Sequence, residues 1–182
     1  MAFGIPEGAT PGAIWTYYVR VQDALALVRQ QWPETSPTPL FPLPSFAGMD
    51  RRQLDDALVG LRDELDEQVT MALVASFEAL LRLDYVDRAG RRLKDPLSRT
   101  FRSLFQTHEL RVELSAILEA YKKELQISEP VGRFKQLVGH RHWLAHGRYW
   151  TDKSGINPDP YDAWTIGDNL LSKIPTIGSL SG

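Results

Sequence analysis

A regular spacing of apolar side chains runs through residues 50–85 and leaves few folds open to this chain. The repeat recurs every four and three positions, which is the period of one helical face and is close to a heptad seam. From Val69 onward apolar residues occur on all sides, which indicates deeper burial. Asp50 stands where an N-terminal cap is expected. The segment predicts one long helix that packs along a partner helix. The repeating positions are Leu54, Leu58, Leu61, Leu65, Gln68 and Ala72.

The rest of the chain shows shorter segments of helical period and no alternating strand pattern. Residues 33–48 are rich in proline and predict an extended connector, which Phe41 and Phe46 are expected to pin onto the body. Asp95 followed by Pro96 is typical of a helix start, whereas residues 88–94 predict a basic loop. We expect Thr107 to cap a helix and Gly147 to end one. The predicted helices span residues 12–31, 50–85, 96–106, 108–125, 130–146 and 160–173.

These segments predict an all-α fold, a helical bundle of four to six helices with a Pro-rich connector after the first helix. A chain of 182 residues fits one domain with an accessory segment. We divide it into an N-terminal helix plus connector (1–48), a helical domain (49–174) and a tail (175–182). The chain has no cysteine, which excludes disulfides, thiol nucleophiles and cysteine-ligated zinc. With no secretory pattern and no spanning apolar stretch, a soluble cytoplasmic protein without membrane association is expected.

Charge is unevenly distributed along the chain. The net charge of −2 gives no global attraction for nucleic acid. Between Glu129 and Asp152, however, there is no acidic residue, so one face of the molecule is expected to be positive. This stretch also holds three of the four histidines. Its basic residues and histidines are Arg133, Lys135, His140, Arg141, His142, His146 and Arg148.

Three interpretations of the histidine cluster compete. His142 and His146 are four positions apart, a spacing used by zinc-binding helices, but Trp143 replaces the glutamate of the metalloprotease motif. Alternatively, cationic side chains simply favour a helix C-terminus, with Trp143, Leu144 and Trp150 in the core. The third interpretation is a metal-free phosphodiesterase site. Histidine exchanges protons near neutral pH and arginine holds phosphate, and a required 2'-hydroxyl would make RNA the substrate.

Residues 141–147 read Arg-His-Trp-Leu-Ala-His-Gly. This resembles the signature of HEPN domains, an arginine and a histidine separated by four residues. In that family a polar residue often follows the arginine, and Ala-His-Gly often closes the motif. As a fold the resemblance covers about residues 50–170, and its specific part is the motif itself. It implies a metal-independent endoribonuclease, with no cofactor, of the toxin–antitoxin or phage-defence type.

The resemblance also implies roles for particular residues. Arg141 binds the scissile phosphate, His146 acts as general base or acid, and His142 is the second polar group. The products are a 2',3'-cyclic phosphate and a 5'-hydroxyl. Glu78 on the long helix is expected to support Arg141. Such proteins usually dimerise so that two motifs line one cleft, which implies a homodimer, and an antitoxin or regulatory protein is a further expected partner. The heptad-like seam suits dimer packing, or it faces the protomer's own core.

Additional cationic and aromatic residues are candidates for RNA contact, with a solvated surface or apolar packing as the alternative for each. In HEPN toxins paired with nucleotidyltransferase antitoxins, a tyrosine lies two residues after the histidine. Arg148 stands there instead, so tyrosine modification is not expected. The alternative function is a non-catalytic HEPN-like module for RNA or nucleotide binding or for dimerisation. The candidate residues for RNA contact are Arg148, Tyr149 with Trp150, Lys135, and the loop residues Arg88, Arg91 and Arg92.

Overall fold

The computed structural model describes residue 6 and residues 9–32, 43–91, 93–146 and 155–175. Within these ranges the chain forms six α-helices, two short 3-10 turns and no strand. The predicted all-α bundle of four to six helices is confirmed. The helices are α1 (Pro11–Gln31), α2 (Arg51–Gly90), α3 (Pro96–His108), α4 (Leu114–Leu125), α5 (Ser128–Ala145) and α6 (Pro160–Ser172), and the turns are Pro44–Phe46 and Glu109–Arg111.

Helix α2 is the central element and contacts all five other helices. Its start is fixed by a capping box, as expected at Asp50. The Asp50 carboxylate accepts from the Gln53 N–H at 2.8 Å, and the Gln53 side chain accepts from the Asp50 N–H at 2.9 Å. These reciprocal bonds satisfy two amide groups that have no partner inside the helix. Of the helices that the structure describes, none combines the length and apolarity that traversing a bilayer requires.

The end of α2 corrects the prediction of a basic loop at residues 88–94. The helix continues to Gly90, and Arg88 on its last turn is buried. Arg88 Nε lies 2.7 Å from Asp84 Oδ2 one turn earlier, and its Nη1 lies 3.5 Å from Asp95. A buried arginine needs such partners, because an unpaired charge is costly away from water. Arg88 is therefore a structural residue, and its proposed contact with RNA is wrong.

A buried tyrosine completes this ion-pair network. The Tyr121 hydroxyl donates to Asp84 Oδ2 at 2.7 Å, so α4 is joined to α2 through the same carboxylate. Burial and the neighbouring Asp84 charge raise the pKa of the Tyr121 phenol well above its usual range. The Phe101 ring of α3 packs edge-on against the rings of both Tyr85 and Tyr121. In this part of the core, which also extends to α5 and α6, a hydrogen-bonded polar network and packed aromatic rings join α2, α3 and α4.

The capping predictions have mixed outcomes. Asp95 accepts from the Ser98 N–H at 2.9 Å, with Pro96 at the first helical position, as predicted. The prediction that Thr107 caps the next helix is wrong. Thr107 lies inside α3, and its hydroxyl donates to the Ser103 carbonyl at 3.2 Å. After α3 the backbone turns at Glu109 with a φ of 50°, and α4 begins only at Leu114.

Helix α1 packs along the first half of α2. As a result, some positions of the predicted heptad-like seam are buried and the others are exposed. Leu54, Leu58 and Leu65 are buried, and the first two form a small cluster with Trp32. Phe46 packs edge-on against Trp32, as expected, whereas Phe41 lies outside the described residues. The other side of the seam remains exposed. Its residues are Leu61, Gln68 and Ala72.

Candidate functional site

The C-terminal end of α5 divides the histidine cluster between the core and the surface. His140 faces inward, is 3% exposed, and has its ring 5.4 Å from that of Trp143. His142 and His146 are exposed. The buried positions Leu137, His140 and Leu144 repeat at helical spacing, so α5 has one inward face. The chemistry available to a ligand is therefore that of Arg141, His142 and His146, and His140 does not belong to the site.

Arg141 is held by a carboxylate from the central helix. Its Nη2 lies 3.2 Å from Glu78 Oε2, which is the contact that the resemblance led us to expect. The Arg141 side chain is 32% exposed and that of Glu78 is 15% exposed. The Nε of Arg141 is buried and makes no hydrogen bond to any described residue. Arg141 is therefore paired with a carboxylate of α2, and its side chain remains partly exposed.

Glu78 is shared with a second arginine that sequence reasoning missed. Arg82 Nε donates to Glu78 Oε1 at 3.0 Å, and Arg82 Nη1 donates to the Val112 carbonyl at 3.0 Å. The spacing of four between Glu78 and Arg82 was the available signal, because side chains one helical turn apart meet. The bond to Val112 had no such signal. Two guanidinium groups around one carboxylate leave a net positive charge at this place.

The two exposed imidazoles lie close together. Their ring centroids are 4.2 Å apart at an interplanar angle of 60°. His146 is the C-cap of α5, and its backbone N–H donates to the His142 carbonyl at 3.1 Å. One helical turn therefore presents two groups able to give and take protons, next in sequence to an arginine that favours anions. This arrangement suits proton transfer at a phosphodiester.

The zinc interpretation lacks ligands in the part of the chain that the structure describes. There, no group of three or more His, Asp or Glu side chains is placed to hold a metal ion. Structural zinc sites take four ligands and catalytic ones three, and His142 with His146 supplies two. The interpretation as a cationic helix end remains compatible with the same geometry, because both imidazoles lie on the last turn of α5.

No protein-family model, curated protein or solved structure matches this chain.

The outlying candidates for RNA contact are placed less favourably. Lys135 forms an ion pair with Glu119 of α4, and this pairing lowers the pKa of the Glu119 carboxyl. Arg91 Nε lies 2.7 Å from Asp87 Oδ1. The positive charges of Lys135 and Arg91 are therefore partly neutralised by these acidic partners in the absence of RNA. Four further residues of the predicted site, together with the expected helix stop, lie outside the described residues: Arg92, Arg148, Tyr149, Trp150 and Gly147.

Proposed function

We propose that this protein is a metal-independent, HEPN-like endoribonuclease that acts as a toxin or phage-defence effector. The observation that carries the proposal is the end of α5, where Arg141, His142 and His146 follow one another within two turns. The imidazoles are exposed, and Arg141 is anchored by Glu78. A positioned guanidinium beside two proton-transfer groups supplies what RNA cleavage needs without a metal.

The proposed chemistry is transesterification within the RNA. The 2'-oxygen forms a bond to phosphorus while the bond from phosphorus to the 5'-oxygen breaks. A histidine accepts the 2'-hydroxyl proton, and a protonated histidine gives a proton to the leaving 5'-oxygen. We assign His146 as the principal base or acid and His142 as the second group. Arg141 stabilises the charge that develops on the phosphoryl oxygens. The ends produced are a 2',3'-cyclic phosphate and a 5'-hydroxyl.

A homodimer is part of the proposal because of helix geometry. Residues five positions apart on an ideal helix point in directions about 140° apart, so Arg141 and His146 of one α5 do not share a narrow face. In a cleft between two motif helices, each protomer contributes to one composite site. A second copy would have to approach the end of α5, where the two imidazoles are exposed.

The test is RNA cleavage by the purified protein in the presence of EDTA. We expect the wild type to cleave cellular RNA and to leave cyclic phosphate ends. His146→Ala and Arg141→Ala should each lose at least about 100-fold in rate, because a general acid–base group and a donor that stabilises transition-state charge each contribute that much or more. His108→Ala is the matched control, because His108 is an exposed histidine at the end of α3. Equal cleavage by wild type and His146→Ala, or no cleavage by either, rejects this function.

A non-catalytic RNA-binding module is the second candidate, and one observation favours it. Arg141 and His146 of one α5 point in directions about 140° apart, so a single protomer offers a cation and imidazoles for binding but no assembled catalytic pair. In the same EDTA experiment this alternative predicts RNA that is bound by the wild type, released by Arg141→Ala and intact throughout. Expression in bacteria separates the two further: a ribonuclease toxin arrests growth, and Arg141→Ala relieves the arrest.

A further inference from the structure

A groove opens along α2 next to the Glu78 network. Its volume is about 630 Å³, within the range of roughly 300–1,000 Å³ typical of small-molecule sites. One wall is formed by Pro6, Ala9 and Ile14 on the first turn of α1, and the other by Leu110 and Val112 after α3. The lining is mainly aliphatic and includes Ala72, Ala75, Ala79, Ile14, Leu110 and Val112.

Short side chains and two hydrogen bonds explain why the groove exists. Ala72, Ala75 and Ala79 recur at spacings of three and four, so small residues form its floor on one face of α2. The Ser76 hydroxyl donates to the Ala9 carbonyl at 2.6 Å, which ties the first wall to α2. Arg82 ties the second wall through its bond to the Val112 carbonyl. The walls are therefore attached to the helix on both sides of the alanines.

Arg82 gives the groove its charge. Among the described residues that line the groove it is the one charged side chain, and no acid lines it. Its Nε and Nη1 are bonded, whereas Nη2 makes no hydrogen bond to the described residues, and the side chain is 37% exposed. A guanidinium with a donor to spare, at the edge of an apolar groove, is complementary to an anionic group on an apolar body.

We propose that this groove binds an amphipathic carboxylate, with its aliphatic chain over the alanines and its carboxylate on Arg82. From Ala72 to Arg82 the helix rises roughly 15 Å, which matches an extended chain of about 12 carbons. A nucleotide fits less well, because a base carries several donors and acceptors at its edges. The polar side chains of the lining are Ser76, Arg82 and Tyr85, and each is already bonded to a backbone carbonyl. Unpaired polar groups of a buried base would cost about 1–3 kcal/mol each.

The groove is connected to the candidate site through Glu78. A carboxylate bound to Arg82 competes with Glu78 for that guanidinium, which leaves Glu78 to pair more fully with Arg141. Bound ligand then weakens the hold of Arg141 on phosphate. This consequence for RNA rests on the proposed function, whereas binding in the groove does not and is measured separately.

The test is calorimetric titration of the full chain with dodecanoate below its micelle concentration. We expect saturable binding of one molecule per chain. Ala75→Phe, which fills the groove, and Arg82→Gln, which removes its charge, should each weaken binding at least tenfold, and dodecanol should bind at least fivefold more weakly than dodecanoate. Ala26→Phe is the matched control, since Ala26 is an exposed alanine on α1 outside the groove lining, and it should bind as the wild type does.

Circular dichroism identifies any variant that fails to fold. If Arg82→Gln does not fold, the binding measured for Ala75→Phe decides the proposal. The proposal is overturned if the wild type shows no saturable binding, if folded Ala75→Phe binds like the wild type, or if adenosine monophosphate binds more tightly than dodecanoate. None of these outcomes depends on whether the protein cleaves RNA.

Discussion

Glu78 lies between two guanidinium groups, and the balance between them sets how much of Arg141 is available to a ligand. The Arg82 contact is a hydrogen bond of 3.0 Å, while the Arg141 contact is an ion pair of 3.2 Å that lacks hydrogen-bond geometry. The Arg141 pair is thus the looser of the two. An incoming phosphate therefore displaces Glu78 from Arg141 more easily than from Arg82, because a bidentate contact between arginine and phosphate is stronger than a poorly aligned ion pair.

Glu78→Gln should raise the affinity for RNA. The change keeps the shape of the side chain and removes the charge that competes for Arg141. Partly exposed ion pairs contribute about 0.2–1 kcal/mol, so we expect RNA to bind up to about fivefold more tightly, as measured by fluorescence anisotropy with a non-cleavable RNA. Asp55→Asn makes the same charge change at the Arg29 pair, roughly 35 Å away along α2. Equal effects of the two variants would contradict a specific role for Glu78.

At the scale of helices, starts with an aspartate cap were predicted well, whereas the end of α2 and the start of α4 were not. Asp50 and Asp95 cap their helices as expected, because an N-cap is decided by bonds within four residues. The end of α3 depends instead on the turn at Glu109, whose carbonyl accepts from the Tyr85 hydroxyl of α2 at 3.0 Å. Arg88 on the last turn of α2 likewise reaches Asp95 beyond the turn, in addition to Asp84 on its own helix. Contacts between segments fixed both of these ends.

The packing of α6 on α2 depends on one glycine. A Cβ at Gly167 would lie 2.2 Å from Cε2 of the buried Phe77 ring, so one of them would have to move. Gly167→Ala should lower the free energy of unfolding by about 1–3 kcal/mol, the usual cost of overpacking. Gly60→Ala is the control, because nothing lies within 4 Å of its Cβ on exposed α2 surface, and it should stabilise by about 1 kcal/mol.

Chemical denaturation measures both variants. Phe77→Leu combined with Gly167→Ala should recover part of the loss, since the smaller side chain leaves room for the methyl group. Unfolding of Gly167→Ala at the same denaturant concentration as the wild type would contradict the close packing of Gly167 against Phe77.

For the whole molecule, the proposed composite site predicts complementation between inactive protomers. In an assembly of Arg141→Ala with His146→Ala chains, one site combines the arginine of one protomer with the histidine of the other. Random pairing should recover up to about a quarter of wild-type cleavage from two variants that are inactive alone. Co-expression followed by the EDTA cleavage assay measures the recovery, and sedimentation measures the dimer. A dimer whose mixed form stays inactive would show that each site is built within one protomer.

By itself the sequence determined the helical class, most helix starts and the motif at the end of α5, because periodicity, capping and short motifs are properties of neighbouring residues. It also pointed to Glu78 through the resemblance of residues 141–147. Only the tertiary structure placed His140 in the core, away from His142 and His146, and buried Arg88. It also joined Arg82 to the pair of Glu78 and Arg141 and formed the groove above Ala75. Each of these results depends on which helix packs against which face, and that is decided by contacts between residues far apart in the chain.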